Sequence, residues 1–95
     1  MKTYVSLINF TEQGASNLKR SPKRAVDFRK SAEKAGVEVV AQLWTAGAYD
    51  GILILRGESE EKVLGLLVGL GALGNVRTHS LRAFEADEWK AMLPR

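Results

Sequence analysis

The chain has 95 residues, 45% hydrophobic and 26% charged, with a formal net charge of +3. That length fits one domain with a modest core and marginal stability. There is no cysteine, which excludes disulfides and thiolate metal sites and agrees with a reducing compartment.

The opening MKTYVSLINF carries the β-branched and aromatic types of a strand over 2–10. Ser6 and Asn9 interrupt its apolar run and no small-residue cleavage site follows, so it does not read as a signal peptide. TEQGASNLKR reads as a loop. Ser21-Pro22 then starts a helix, with serine as the cap and proline pre-organised for the first helical position. Ala25, Val26, Phe28, Ala32 and Ala35 recur at helical spacing, and Gly36 takes the position just past the end. Residues 18–30 crowd arginine and lysine with only Asp27 opposing. Lys19, Arg20, Lys23 and Arg24 would attract phosphates. No aromatic-basic stripe accompanies them, so a solvated helix face is the expectation and nucleic acid is not an expected partner.

Residues 37–45 predict a second strand and 49–56 a third, joined by the turn in WTAGAYDG as an antiparallel hairpin. Such a turn would set Trp44 and Tyr49 opposite each other. Ser59 caps the next helix, whose first turn holds Glu60 and Glu61 against the helix dipole. Its apolar run, 63–73, is too short to span a bilayer. No membrane association is expected, and the chain reads as a cytoplasmic protein. Gly65 and Gly69 share one helical face and predict close packing of that helix on the sheet. A fourth strand over 76–84 follows, then a tail, 85–95, with a short helix capped by Asp87 and docked through Trp89 and Met92.

The order βαββαβ is the ferredoxin-like α+β plan, a single domain over 1–95 with its core in 1–84. Two helices cover one face of a four-stranded antiparallel sheet ordered 4-1-3-2. Alternation assigns Val37, Val39, Ala41 and Leu43 to the helix side. It leaves Val40, Gln42 and Trp44 on the open face with Tyr4, Ser6 and Ile8 and with Arg77, His79 and Leu81. Strand three is apolar at both parities. A mixed face of that extent calls for a cover, and a second copy of the same sheet is the expected one, as a homodimer or higher homo-oligomer.

WTAGAYDGILI, LGNVRTHSLRAF and YVSLINFTEQG together resemble the GYD-domain family, with Gly47, Tyr49 and Asp50 as its motif. The resemblance covers the chain up to Phe84 and implies a dimeric α/β barrel of ferredoxin-like subunits. It implies no reaction. His79 stands where the family resemblance leads one to expect an acidic residue.

The candidate site residues are Tyr4, Ser6, Gln42, Trp44, Tyr49, Asp50, Arg77 and His79, expected to border a small polar pocket between sheet and partner. Asp50 reads either as a general base whose pKa is raised by burial or as a structural group that accepts from the hairpin or pairs with Arg77 or Arg82. His79 reads as an acid/base group or as a structural side chain. A lone histidine without cysteine or a spaced partner implies no metal, and no cofactor motif is present. Trp44 and Tyr49 would either stack on a planar ligand or pack across the hairpin. Binding of a small, partly planar or anionic metabolite is the leading expectation. A cofactor-independent isomerase, decarboxylase or oxygenase, or a basic-patch module for nucleic acid or protein, stands as the alternative, and the sequence leaves open whether the chain is an enzyme.

Overall fold

In the computed structural model, which describes residues 1–94, the strands β1 (Lys2–Phe10), β2 (Glu38–Trp44), β3 (Gly51–Gly57) and β4 (Val76–Ala83) form one antiparallel sheet. The order is β2-β3-β1-β4, as the sequence predicts. Helices α2 (Ser21–Lys34) and α3 (Glu60–Ala72) pack on one face of it. Two shorter helices, α1 (Glu12–Ser16) and α4 (Ala86–Met92), complete the chain. The fold is ferredoxin-like α+β.

The segment read as a loop after β1 is partly helical. Thr11 caps α1 by accepting from the Gly14 amide, and its own amide donates to the Asn75 carbonyl. Gln13 donates to Leu73 and Asn75 across the turn before β4. The cap assignments also change at two places. Ser21 is the first helical residue of α2 and caps nothing; its hydroxyl accepts from Trp44 Nε1 at 3.2 Å. In the tail Glu85, not Asp87, caps α4, in a reciprocal pair with Glu88. Ser59 caps α3 as expected, and Gly36 follows α2 at φ 74°.

The largest departure from the sequence reading lies in the faces of the sheet. Val39 pairs with Leu55 but Ala41 pairs with Ile54, so Val40 is an extra residue, a β-bulge. Past it the alternation of β2 reverses. Gln42 and Trp44 turn under α2, while Ala41 and Leu43 turn to the open face. In β1, Tyr4 and Ser6 are buried on the helix side, which puts Val5 and Leu7 on the open face beside Ile52, Ile54, His79 and Leu81. Both parities of β1 mix apolar with polar types, so alternation alone held no signal there.

The core is thin. Phe28 and Ala32 of α2 and Val63 and Leu67 of α3 meet Tyr4, Val39, Leu53 and Leu55 of the sheet, with Val37 at the entry to β2. Gly65 and Gly69 do not serve close packing, because a Cβ on either would meet nothing within 4 Å. Gly14 is the opposite case: a Cβ there would stand 2.9 Å from the Asn75 carbonyl carbon and closer still to its oxygen.

Gly14→Ala is therefore expected to destabilise the fold by about 2–3 kcal/mol through overpacking against backbone. Gly69→Ala should stabilise it by about 0.5–1 kcal/mol through helix propensity. Urea unfolding of the two variants measures both signs.

Candidate functional site

The loop 45–50 is held by its own polar groups. The Thr45 amide donates to the Asp50 carbonyl and the Thr45 hydroxyl to the Tyr49 carbonyl, while Gly47 takes φ 147°, which only glycine adopts freely. Asp50 then fastens the loop to the end of β1. Its amide donates to the Ile8 carbonyl, and its Oδ2 accepts from the Phe10 amide, both at 2.8 Å. The carboxylate thus has a structural partner, but in β1 and not in the hairpin, Arg77 or Arg82.

Trp44 and Tyr49 part company at this loop. Trp44 pairs across from Gly51 and sends its indole to α2. Tyr49 reaches the open face, where its ring meets the His79 ring edge-on at 6.1 Å. Arg77 lies two residues before His79 on the same face and is likewise exposed. The open face thus has an apolar centre of Val5, Leu7, Ile52 and Ile54 and a polar end of Tyr49, Arg77 and His79.

The other candidates work on the helix side. The Tyr4 hydroxyl donates to Glu60 of α3 at 2.9 Å, and Ser6 shares a hydrogen bond with Ser80. Burial raises the Tyr4 phenol above its ordinary pKa, and the Glu60 carboxylate raises it further, against a lowering by Arg82. Gln42 donates to the Ala25 carbonyl and accepts from Arg29, so it ties β2 to α2. The eight candidates therefore do not converge on one pocket.

Alternation misses a second concavity. Between α2 and α3, over the helix side of β3, lies a cleft of about 640 Å³. Phe28, Leu53, Leu66 and Leu70 form its floor and walls, and Gln42, Trp44 and Asp50 reach its edge. Gly65 and Gly69 line it too, so the glycine pair in the sequence marks open room and not close contact. Among the described residues no three acidic or histidine side chains gather to hold a metal ion, and no helix is long and apolar enough to cross a membrane.

Much of the basic charge is engaged within the chain. Lys23 pairs with Asp27 at 3.2 Å, Arg24 donates to the Asn17 carbonyl, and Arg29 to Gln42 and the Val39 carbonyl. This geometry favours a structural helix face over a phosphate-binding strip.

Residues 4–93 match the GYD domain. A Thermus thermophilus protein named glutamine synthetase and cystathionine beta-lyase binding protein is 31% identical over 94 residues, covering 98% of this chain and 99% of that protein. Among solved structures, MtbAldR superposes with a TM-score of 0.68 at 16% identity over 88% of this chain. The match takes in 53% of that chain, about half its length. A crystal structure from Thermus thermophilus gives a TM-score of 0.57 at 23% identity, with 100% of both chains covered. At these identities the two structures speak for the fold.

Tyr4 offers a test of the helix-side network. Its raised value means the fold holds the phenolic proton more tightly than the unfolded chain does. The resulting stability is fully present below about pH 10, the unfolded tyrosine value, and is lost as pH climbs through the folded value. Tyr4→Phe is expected to cost about 1 kcal/mol at neutral pH and to flatten that alkaline loss, as followed by urea titrations at neutral and alkaline pH.

Proposed function

The chain belongs to the GYD domain family, and on that premise we propose that it is a homo-oligomeric binding protein. Two open sheet faces pair, and a small, partly planar or anionic metabolite sits between them at the end bordered by Tyr49, Arg77 and His79. The observation that carries this reading is the open face itself. Leu43 and Leu81 are 58% and 55% exposed there, beside the half-buried Val5, Leu7, Ile52 and Ile54. No element among the described residues covers them, and a contiguous apolar face of this kind favours a cover. Arg77 supplies a cation for an anionic group, and the Tyr49 and His79 rings supply flat surfaces for a planar one. The Asp50 carboxylate accepts from the Phe10 amide. That bond gives the carboxylate a structural task, holding the loop to the end of β1.

A second reading rests on α3 and on the relative named for binding two enzymes. Leu64 and Val68, one turn apart on that helix, are 38% and 72% exposed. Such a stripe suits docking to another protein.

Light scattering is expected to give a dimer or larger species at micromolar concentration, and Ile54→Lys to give a folded monomer. A monomeric parent protein sinks the sheet-pairing reading. In a thermal-shift screen of small carboxylates and planar metabolites, His79→Ala and Arg77→Ala should abolish shifts seen with the parent; shifts that survive both variants remove this end of the sheet as the site. For the second reading, Val68→Asp is expected to weaken binding to purified glutamine synthetase or cystathionine beta-lyase at least tenfold, a loss of about 1.4 kcal/mol. Equal binding by the variant excludes α3 as the docking surface.

A further inference from the structure

Two apolar surfaces outside the open sheet face also lack a cover, and they do not cover one another within a subunit. One is the α2–α3 cleft, which no described residue of the tail lines. The other is α4, seven residues long, far below the roughly 12–15 residues that a helix needs to persist alone in water. Its capping pair, Glu85 with Glu88, defines its start. Trp89, Met92 and Leu93 stand three and four residues apart and so form one stripe, with 54%, 52% and 52% of their surface exposed. The aromatic contact α4 makes with its own chain is Trp89 on Phe84, at 6.1 Å between ring centroids.

The charges of the two surfaces are complementary. Glu85, Asp87 and Glu88 make the start of α4 acidic, with Lys90 opposing. The cleft presents Arg24 and Lys62 beside Asp27 and Asp50, and a hollow next to it adds Arg20 and the Asp27-paired Lys23, so the region keeps an excess of positive charge. Arg24 donates through Nη1 to the Asn17 carbonyl, while its Nη2 is buried without a partner.

We propose that the cleft is filled by α4 of a second copy of this chain. Trp89 and Met92 of one subunit enter between α2 and α3 of the other, and the acidic start of the helix lies against Arg24 and Lys62. This is a helix-in-groove contact. It lies on the helix side of the sheet, so it goes beyond the sheet pairing and stands or falls separately.

The absence of cysteine makes the test direct, because introduced thiols are unique. Full-length Gly69→Cys, whose new Cβ has open space, is mixed with full-length Met92→Cys and oxidised gently. The expected main product is the mixed disulfide dimer. It should fall at least fivefold when Arg24→Glu is added to the Gly69→Cys chain, and recover when Asp87→Arg, which leaves the Glu85–Glu88 cap intact, is added to the Met92→Cys chain. A Gly69→Cys homodimer as the main product would place a second α3 at the cleft and overturn the proposal. Ring closure within one chain carrying both cysteines would seat the chain's own tail there and overturn it equally. A mixed product no greater than that of Gly69→Cys with Ala46→Cys, a pairing to the exposed loop, leaves the cleft to a small ligand and also overturns it. If light scattering still shows a dimer in that last case, tail exchange fails and sheet pairing stands.

Discussion

One extra residue in β2 decides which chemistry each face of the sheet presents. Without the bulge at Val40, the strand would keep Ala41 and Leu43 under α2 and send Gln42 and Trp44 outward. With it, Gln42 hydrogen-bonds the Ala25 carbonyl and Trp44 the Ser21 hydroxyl, so the polar atoms of both become fasteners between strand and helix. The same half-turn places Leu43 on the open face opposite Ile52. Bulges add local twist and re-aim the side chains that follow. Here the result is a more apolar open face and a helix layer pinned to the sheet by polar bonds at its edge.

The element order, the strand order and the hairpin were legible in the sequence because each rests on local signals. Pro22 and Gly36 bracket α2, Ser59 caps α3, and Gly47 supplies the reversal. The faces were not legible, for two physical reasons. A bulge leaves no mark in an apolar strand, since Val39, Val40 and Ala41 suit either register. In β1, a tyrosine and a serine occupy buried positions because Glu60 and Ser80 satisfy their hydroxyls. Partners 56 and 74 residues away do not show in a local window. The candidate site divided for that reason: Tyr4, Ser6, Gln42 and Trp44 work on the helix side, and Tyr49, Arg77 and His79 stand on the other.

The helix side has a weakness of its own. Helix α3 is apolar around most of its circumference, and α2 and α3 touch only lightly. Gly65 and Gly69 remove the side chains that would otherwise fill the space between them. A helix gains stability from alanine at such positions, so a glycine pair facing open volume gives up helix propensity for room. That room explains why a chain with a thin core also has an open apolar cleft. It also makes the cleft a property of particular residues, because an Ala or Leu at 65 and 69 would begin to close it.

The motif residues of the hairpin then divide their labour. Gly47 permits the reversal, and Asp50 fixes the loop to β1 through the Ile8 carbonyl and the Phe10 amide. Both contributions are conformational. Tyr49 takes its position from them, and its ring projects to the face that no element among the described residues covers, against His79. The Asp50 carboxylate, bonded to the Phe10 amide, holds that geometry in place. An aromatic ring on an open apolar face offers a surface to a flat partner. Tyr49 is therefore the hairpin side chain that faces the uncovered side of the sheet, with Asp50 as the residue that positions its loop.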